Sequence, residues 1–134
     1  MTILVDTSVW IDFLRGQDTP QRHFLAEQIA QDEDVCTCGV VLTEVLRGIK
    51  DDGEFRQVRS LMNGLTYLPA PREMYVFAAE LYRLAARRGR TIRGTVDCVI
   101  AATAIHHSVP LLARDRDMAC LQGISQLQLV KVPD

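Results

Sequence analysis

The chain opens with Thr2-Ile3-Leu4-Val5-Asp6, a short apolar run that ends at a carboxylate. No polar residue alternates with the apolar ones between Thr2 and Val5, so neither face of this segment is suited to water. An unbroken apolar run of this length is typical of a strand buried on both faces in the middle of a parallel sheet. We therefore predict a strand over residues 2–5, with Asp6 at its carboxyl end.

The rest of the chain continues this pattern with alternating strands and helices. Ser8 is expected to cap a first helix that Gly16 ends, and Thr19-Pro20 opens a second helix. Further helices are predicted over residues 40–49, 54–62, 73–88, 96–107 and 116–121, and further strands over 35–38, 67–68, 110–113 and 127–132. This alternation predicts an α/β fold with a mostly parallel sheet and helices on both faces.

Composition sets limits on the class of protein. A chain of 134 residues with 48% hydrophobic and 24% charged residues fits one globular domain, covering residues 1–134. The net charge of −2 gives no overall basic field, so binding of nucleic acid would need a local patch. The four cysteines form no CxxC pair, and no run approaches the roughly 20 apolar residues of a membrane span. We expect a cytoplasmic protein without a membrane segment.

Four acidic residues are candidates for a metal site. Asp6 and Asp115 follow predicted strands, and ligands of open α/β sheets bind beyond the carboxyl ends of the strands. Glu44 and Asp97 interrupt helical segments that are otherwise apolar. Each acid alone is compatible with a helix cap or a solvated position. A cluster of all four would need a cation, and carboxylate ligands favour Mg²⁺, with Mn²⁺ as a possible substitute.

The same acids lie in four blocks that resemble the signature blocks of the PIN-domain family, and most closely those of its VapC-type toxin branch. These blocks are Leu4-Val5-Asp6-Thr7-Ser8-Val9-Trp10-Ile11, Thr43-Glu44-Val45-Leu46-Arg47-Gly48, Val96-Asp97-Cys98-Val99-Ile100-Ala101-Ala102 and Leu112-Ala113-Arg114-Asp115-Arg116-Asp117-Met118. They occur in the family's order and span nearly the whole chain.

This resemblance implies a three-layer α/β/α fold of the nuclease type and a Mg²⁺-dependent endoribonuclease. It also implies RNA as the substrate, a small VapB-like antitoxin as the partner, and a homodimer. Asp6, Glu44, Asp97 and Asp115 match the family's four acids, and Ser8 matches a small polar residue that supports the first acid.

Asp117 is a second candidate for the fourth acid, because it lies two residues after Asp115. We prefer Asp115, which is nearer the end of the predicted strand, and expect Asp117 to be a solvated helix residue. The choice between the two stays open at the level of sequence.

Several arginines could contact RNA or an antitoxin. Five arginines lie between residues 83 and 93, just before the helix of Asp97, and they could follow a phosphate backbone or simply end a solvated helix. The candidates for contact are Arg47, Arg87, Arg88, Arg90, Arg93 and Arg114. Aromatic residues make up only 6% of the chain, so the sequence does not support base recognition by an aromatic platform.

Two other functions fit parts of this pattern. A haloacid-dehalogenase-like phosphatase also has an aspartate after its first strand, but it needs a second aspartate two residues later, where this chain has Ser8. A catalytically silent PIN-like module that binds RNA or protein is the alternative from another class. The presence of all four acids argues against such a module.

Overall fold

A computed structural model describes residues 1–133 of the chain and shows a sheet of four parallel strands. The strand order is β3-β2-β1-β4, so the first strand lies inside the sheet, as its apolar sequence predicts. The bounds are β1 Ile3–Val5, β2 Val35–Thr37, β3 Thr66–Tyr67 and β4 Leu111–Leu112. The predicted α/β class with a parallel sheet is confirmed.

In the described part of the chain, seven helices connect and cover these strands. Ile3, Leu4 and Val5 are fully buried although their side chains alternate between the two faces of the sheet, so both faces are covered. No helix of residues 1–133 is long and apolar enough to cross a membrane. The helices are α1 Thr7–Arg15, α2 Pro20–Ala30, α3 Gly39–Arg47, α4 Asp52–Asn63, α5 Arg72–Arg87, α6 Thr95–His106 and α7 Arg116–Gln122.

The strand register brings the carboxyl ends of the strands to one edge. Leu4 pairs with both Cys36 of β2 and Leu111 of β4, so the three strands end at nearly the same level. The amide of Asp6 donates to the carbonyl of Leu112 at 2.9 Å, which extends the β1–β4 pairing by one residue. The loops that follow β1 and β4 therefore lie side by side.

The prediction of a last strand over residues 127–132 is wrong. This segment forms one parallel bridge, between Leu111 and Leu129. Two hydrogen bonds frame that bridge, from the Leu111 amide to the Gln128 carbonyl at 2.8 Å and from the Val130 amide to the Leu111 carbonyl at 2.9 Å. Because β4 is only two residues long, it offers too little backbone for a longer pairing.

Two predicted helix starts also need correction. Asp6, not Ser8, is the N-cap of α1, because its backbone is extended and its carboxylate accepts the Ser8 amide. The helix predicted over residues 96–107 begins one residue earlier, at Thr95, with Gly94 as the N-cap of α6. The predicted end of α1 is correct, since Gly16 adopts a left-handed φ of 67° that glycine tolerates best.

Candidate metal centre

Three carboxylates converge where α6 and α7 begin. Asp97 lies in the first turn of α6, Asp115 is the N-cap of α7, and Asp117 lies in the first turn of α7. One carboxylate oxygen from each lies within 4.8 Å of the other two. The free N–H groups at both helix starts favour negative charge here, which offsets part of the repulsion among the acids.

Asp6 lies beside this cluster and is held firmly in place. Its carboxylate accepts the Ser8 hydroxyl at 2.6 Å and the Ser8 amide at 3.3 Å, and the residue is 3% exposed. Burial raises the pKa of Asp6 above its ordinary value, and the nearby charge of Asp115 raises it further. Ser8 therefore holds the Asp6 carboxylate through both its hydroxyl and its backbone amide.

Glu44 approaches from α3 and is oriented by α1. The Thr7 hydroxyl donates to Oε1 of Glu44 at 2.7 Å, and a guanidinium nitrogen of Arg47 lies 3.9 Å from Oε2. The sequence analysis did not identify Thr7 as a contributor. The sequence signal for Thr7 was its position directly after Asp6, because the first residue of α1 lies at the same edge of the sheet as the acids.

The electrostatics of Asp97 show how crowded the acids are. Burial, together with the charges of Asp115, Asp6, Asp117 and Glu44, raises the pKa of Asp97 to about 7. All four predicted acids and Asp117 therefore share one electrostatic environment. Such a set is stable in its fully ionised form only when positive charge neutralises it.

The donor chemistry fits a divalent hard cation. The three clustered side chains all offer carboxylate oxygens, and such oxygens are the ligands that Mg²⁺ and Mn²⁺ accept. The cysteine nearest in sequence, Cys98, is buried, and burial raises its thiol pKa to about 11. No thiol belongs to the cluster found within residues 1–133, so its donor set consists of oxygen atoms.

The expectation that Asp117 is a solvated helix residue is wrong. Asp117 is 6% exposed, and its Oδ2 accepts the backbone amide of Arg93 at 3.1 Å and the Arg93 Nε at 3.3 Å. Its own amide donates to Asp115 Oδ1 at 2.8 Å. The sequence did contain a signal for the position of Asp117. An acid two residues after an N-cap acid lies at the same helix start, and Asp117 has this spacing from Asp115.

The predicted arginines fall into distinct environments. Arg93 pairs with Asp115 and Asp117, both at 3.3 Å, and thus adds positive charge at the cluster itself. Arg114 is instead bound to Asp12, which is 3% exposed, and so has a structural partner. Arg87 is the last residue of α5, Arg88 and Arg90 follow it, and all three are exposed.

Fold and acidic site together define a PIN-domain protein. A sequence model of the PIN domain matches residues 3–123, and the chain therefore belongs to the PIN-domain family.

Within this family the similar proteins are VapC-type ribonucleases, as the four sequence blocks predicted. The chain is 34% identical over 131 residues to VapC ribonuclease Mb1587 of Mycobacterium bovis, covering 94% of this chain and 96% of that protein. Identity and coverage are the same for ribonuclease VapC11 of Mycobacterium tuberculosis.

Solved structures support the fold independently. VapBC2 from Rickettsia felis, bound to a promoter DNA fragment, matches with a TM-score of 0.77 at 17% identity, over 99% of this chain and 100% of that chain. VapBC-1 from nontypeable Haemophilus influenzae matches with a TM-score of 0.74 at 18% identity, over 97% of both chains.

Proposed function

We propose that this chain is a metal-dependent endoribonuclease that hydrolyses RNA phosphodiester bonds and acts as the toxin of a toxin–antitoxin pair. The observation that carries the proposal is the convergence of Asp97, Asp115 and Asp117, with carboxylate oxygens within 4.8 Å of one another. The names of its relatives as ribonucleases support the choice of RNA.

Mg²⁺, or Mn²⁺ in its place, is the cofactor that suits these ligands. Asp97, Asp115 and Asp117 would hold it, with Asp6 and Glu44 beside them. A divalent ion bound there would supply an activated water and neutralise charge on the phosphate during hydrolysis.

The chain's own residues prepare the site for this reaction. Ser8 fixes Asp6 through two hydrogen bonds, and Thr7 orients Glu44, so these carboxylates lose little freedom when substrate binds. Arg93 can exchange its contacts with Asp115 and Asp117 for the RNA phosphate once a cation neutralises them. Such an exchange would couple occupation of the metal site to substrate binding.

The partner we propose is a small VapB-like antitoxin, and the protein is expected to form a homodimer. The solved VapBC complexes with this fold support a partner of that kind. Arg47, close to Glu44, and the exposed group Arg87, Arg88 and Arg90 are the candidate contacts.

The test is cleavage of total cellular RNA by purified protein in Mg²⁺, with EDTA as the metal-free arm. We expect cleavage only with metal, and near-complete loss of cleavage in Asp97→Asn, with a cooperative thermal unfolding transition showing that the variant is folded. Asp18→Asn is the matched control, because the Asp18 side chain is 93% exposed. Full cleavage by Asp97→Asn, or metal-independent RNA binding without cleavage, would refute the proposal; the second result would favour the silent module.

A further inference from the structure

A small cavity lies at the carboxyl ends of β2 and β3, outside the acidic cluster. Its volume is about 120 Å³, and two tyrosines from different elements line it. Tyr67 of β3 is 55% exposed and Tyr75 of α5 is 51% exposed. The remaining walls come from the start of α3, the loop between β3 and α5, and α6, with Cys38, Gly39, Val40, Pro69, Ala70, Val99 and Thr103.

The strand register sets the distance between this cavity and the acids. Tyr67 pairs with Thr37 of β2, and β2 pairs with β1, which ends immediately before Asp6. Two strand spacings of about 4.8 Å place the β3 end roughly 10 Å from the β1 end along the same edge. If one phosphate of an RNA strand lies at the acids, a separation of this size places the adjacent nucleotide of that RNA strand at the cavity.

The same helices connect the cavity with the acidic site. Val40 and Glu44 lie one turn apart on α3, and α6 carries both Asp97 and the cavity residue Val99. Charge from Asp6 also reaches the cavity wall, where it adds to the burial that raises the pKa of Cys38. The cavity and the acidic cluster are therefore adjacent parts of one surface.

The cavity is preformed. The Pro69 carbonyl in its wall lies 2.9 Å from the His107 ring, which anchors this loop to the end of α6. A side chain at position 39 would come within 3.1 Å of the Tyr67 hydroxyl, so glycine there lets the tyrosine lie against the start of α3. That helix begins without a side-chain cap, which leaves polar N–H groups near the ring.

Positive charge is available one helical turn from Tyr75. Arg72 is exposed and precedes Tyr75 by three residues on α5, so the two side chains are neighbours on the helix surface. Within residues 1–133, Arg72 has no acidic partner. An aromatic wall with a free guanidinium next to it matches a nucleotide, which has an aromatic ring joined to an anionic phosphate.

We propose that this cavity binds one unstacked base of the single-stranded RNA substrate, next to the phosphate that is cleaved. The inference rests on the proposed ribonuclease function and adds a base-binding subsite to it. Tyr67 and Tyr75 stack on the base, and Arg72 contacts its phosphate. The volume of about 120 Å³ is below the roughly 150 Å³ of an enclosed cavity that holds benzene, so this open cavity has room for at most one six-membered ring and not for two stacked bases.

The experiment measures the binding of fluorescein-labelled hexauridine and hexaadenosine by fluorescence anisotropy in Mg²⁺, with Asp97→Asn as the background to prevent cleavage. We expect Tyr67→Ala and Tyr75→Ala each to raise the Kd about tenfold, within the range that loss of one stacked base produces. Tyr67→Phe keeps the ring and should stay within about threefold of the parent.

Tyr82→Ala is the matched control, because Tyr82 lies on α5, is 45% exposed and does not line the cavity. Its Kd should equal that of the parent. Unchanged Kd values for both tyrosine variants, in a protein whose wild type cleaves RNA, would overturn the subsite and leave the ribonuclease proposal standing. A wild type that neither binds nor cleaves RNA would overturn both proposals.

A second copy of the chain is the competing occupant of this surface. Sedimentation of the same variants separates the two cases. A shift toward monomer in Tyr67→Ala or Tyr75→Ala, without a change in RNA affinity per protomer, would identify a contact between copies and overturn the subsite.

Discussion

Asp12 and Arg114, which are 102 residues apart in the sequence, form an ion pair that ties α1 to the loop after β4. A second guanidinium nitrogen of Arg114 donates to Asp12 Oδ1 at 3.1 Å. Asp12 is 3% exposed, whereas the Arg114 side chain is about half exposed. This pair helps to hold the loops of Asp6 and Asp115 side by side, so it contributes to the positions of two acids.

Loss of Arg114 should destabilise the fold more than loss of the whole pair. Arg114→Ala leaves a buried carboxylate without its cation, and we expect it to lower the free energy of unfolding by about 2–3 kcal/mol. The double variant Asp12→Asn with Arg114→Ala should recover part of that loss. Urea denaturation measures the stability of both variants. Arg59→Ala is the control, because Arg59 is exposed and has no ion-pair partner within residues 1–133, and it should stay within about 0.5 kcal/mol of wild type. A double variant that is less stable than Arg114→Ala would contradict this account.

Asp117 should prove to be a metal ligand in its own right. Asp117→Asn and Asp115→Asn each remove one negative charge, and asparagine still caps a helix, so the start of α7 is retained. We expect each variant to bind Mg²⁺ at least about tenfold more weakly in calorimetric titrations, in line with the loss of one charge-assisted contact. Wild-type affinity in Asp117→Asn would restrict its role to holding Arg93.

The metal-free protein should be more stable in acid than in base because of Asp97. The pKa of Asp97 is raised to about 7 in the folded state, above its ordinary value of 3.8. A raised folded-state pKa contributes stability that is fully present below pH 3.8 and is lost as the pH rises toward 7.

In EDTA, Asp97→Asn should therefore be more stable than wild type at pH 8, by an amount on the order of 1–3 kcal/mol after solvent screening. The difference should shrink as the pH falls to 4. Denaturant unfolding of both proteins across this range is the measurement. A stability difference that is independent of pH would show that Asp97 does not titrate near neutrality.

Arg93 should act as a substitute cation in the metal-free site. It donates to Asp115 and Asp117, and these contacts raise its own pKa. Arg93→Gln removes that charge, so we expect a lower melting temperature in EDTA and a larger rise on addition of Mg²⁺ than in wild type. Arg87→Gln changes an exposed arginine outside the cluster and is the matched control. Equal Mg²⁺ shifts in both variants would rule out this role for Arg93.

Local sequence signals predicted the framework well. The apolar run before Asp6 identified the inner strand, and Gly16 marked the end of α1, because both depend on residues close in the chain. The last strand was mispredicted because pairing of residues 127–132 depends on how much backbone β4 offers, and β4 is only two residues long.

The sequence by itself determined the α/β class and, through its resemblance to the PIN-domain blocks, the family. It also singled out Asp6, Glu44, Asp97 and Asp115 as candidate ligands, because each acid interrupts or ends an apolar element. Only the tertiary structure decided that Asp117 is buried beside Asp97, that Arg114 is tied to Asp12, and that Tyr67 and Tyr75 share one cavity. A local pattern shows which face of an element is apolar. It does not show which elements meet, because contacts between distant residues depend on strand order and register.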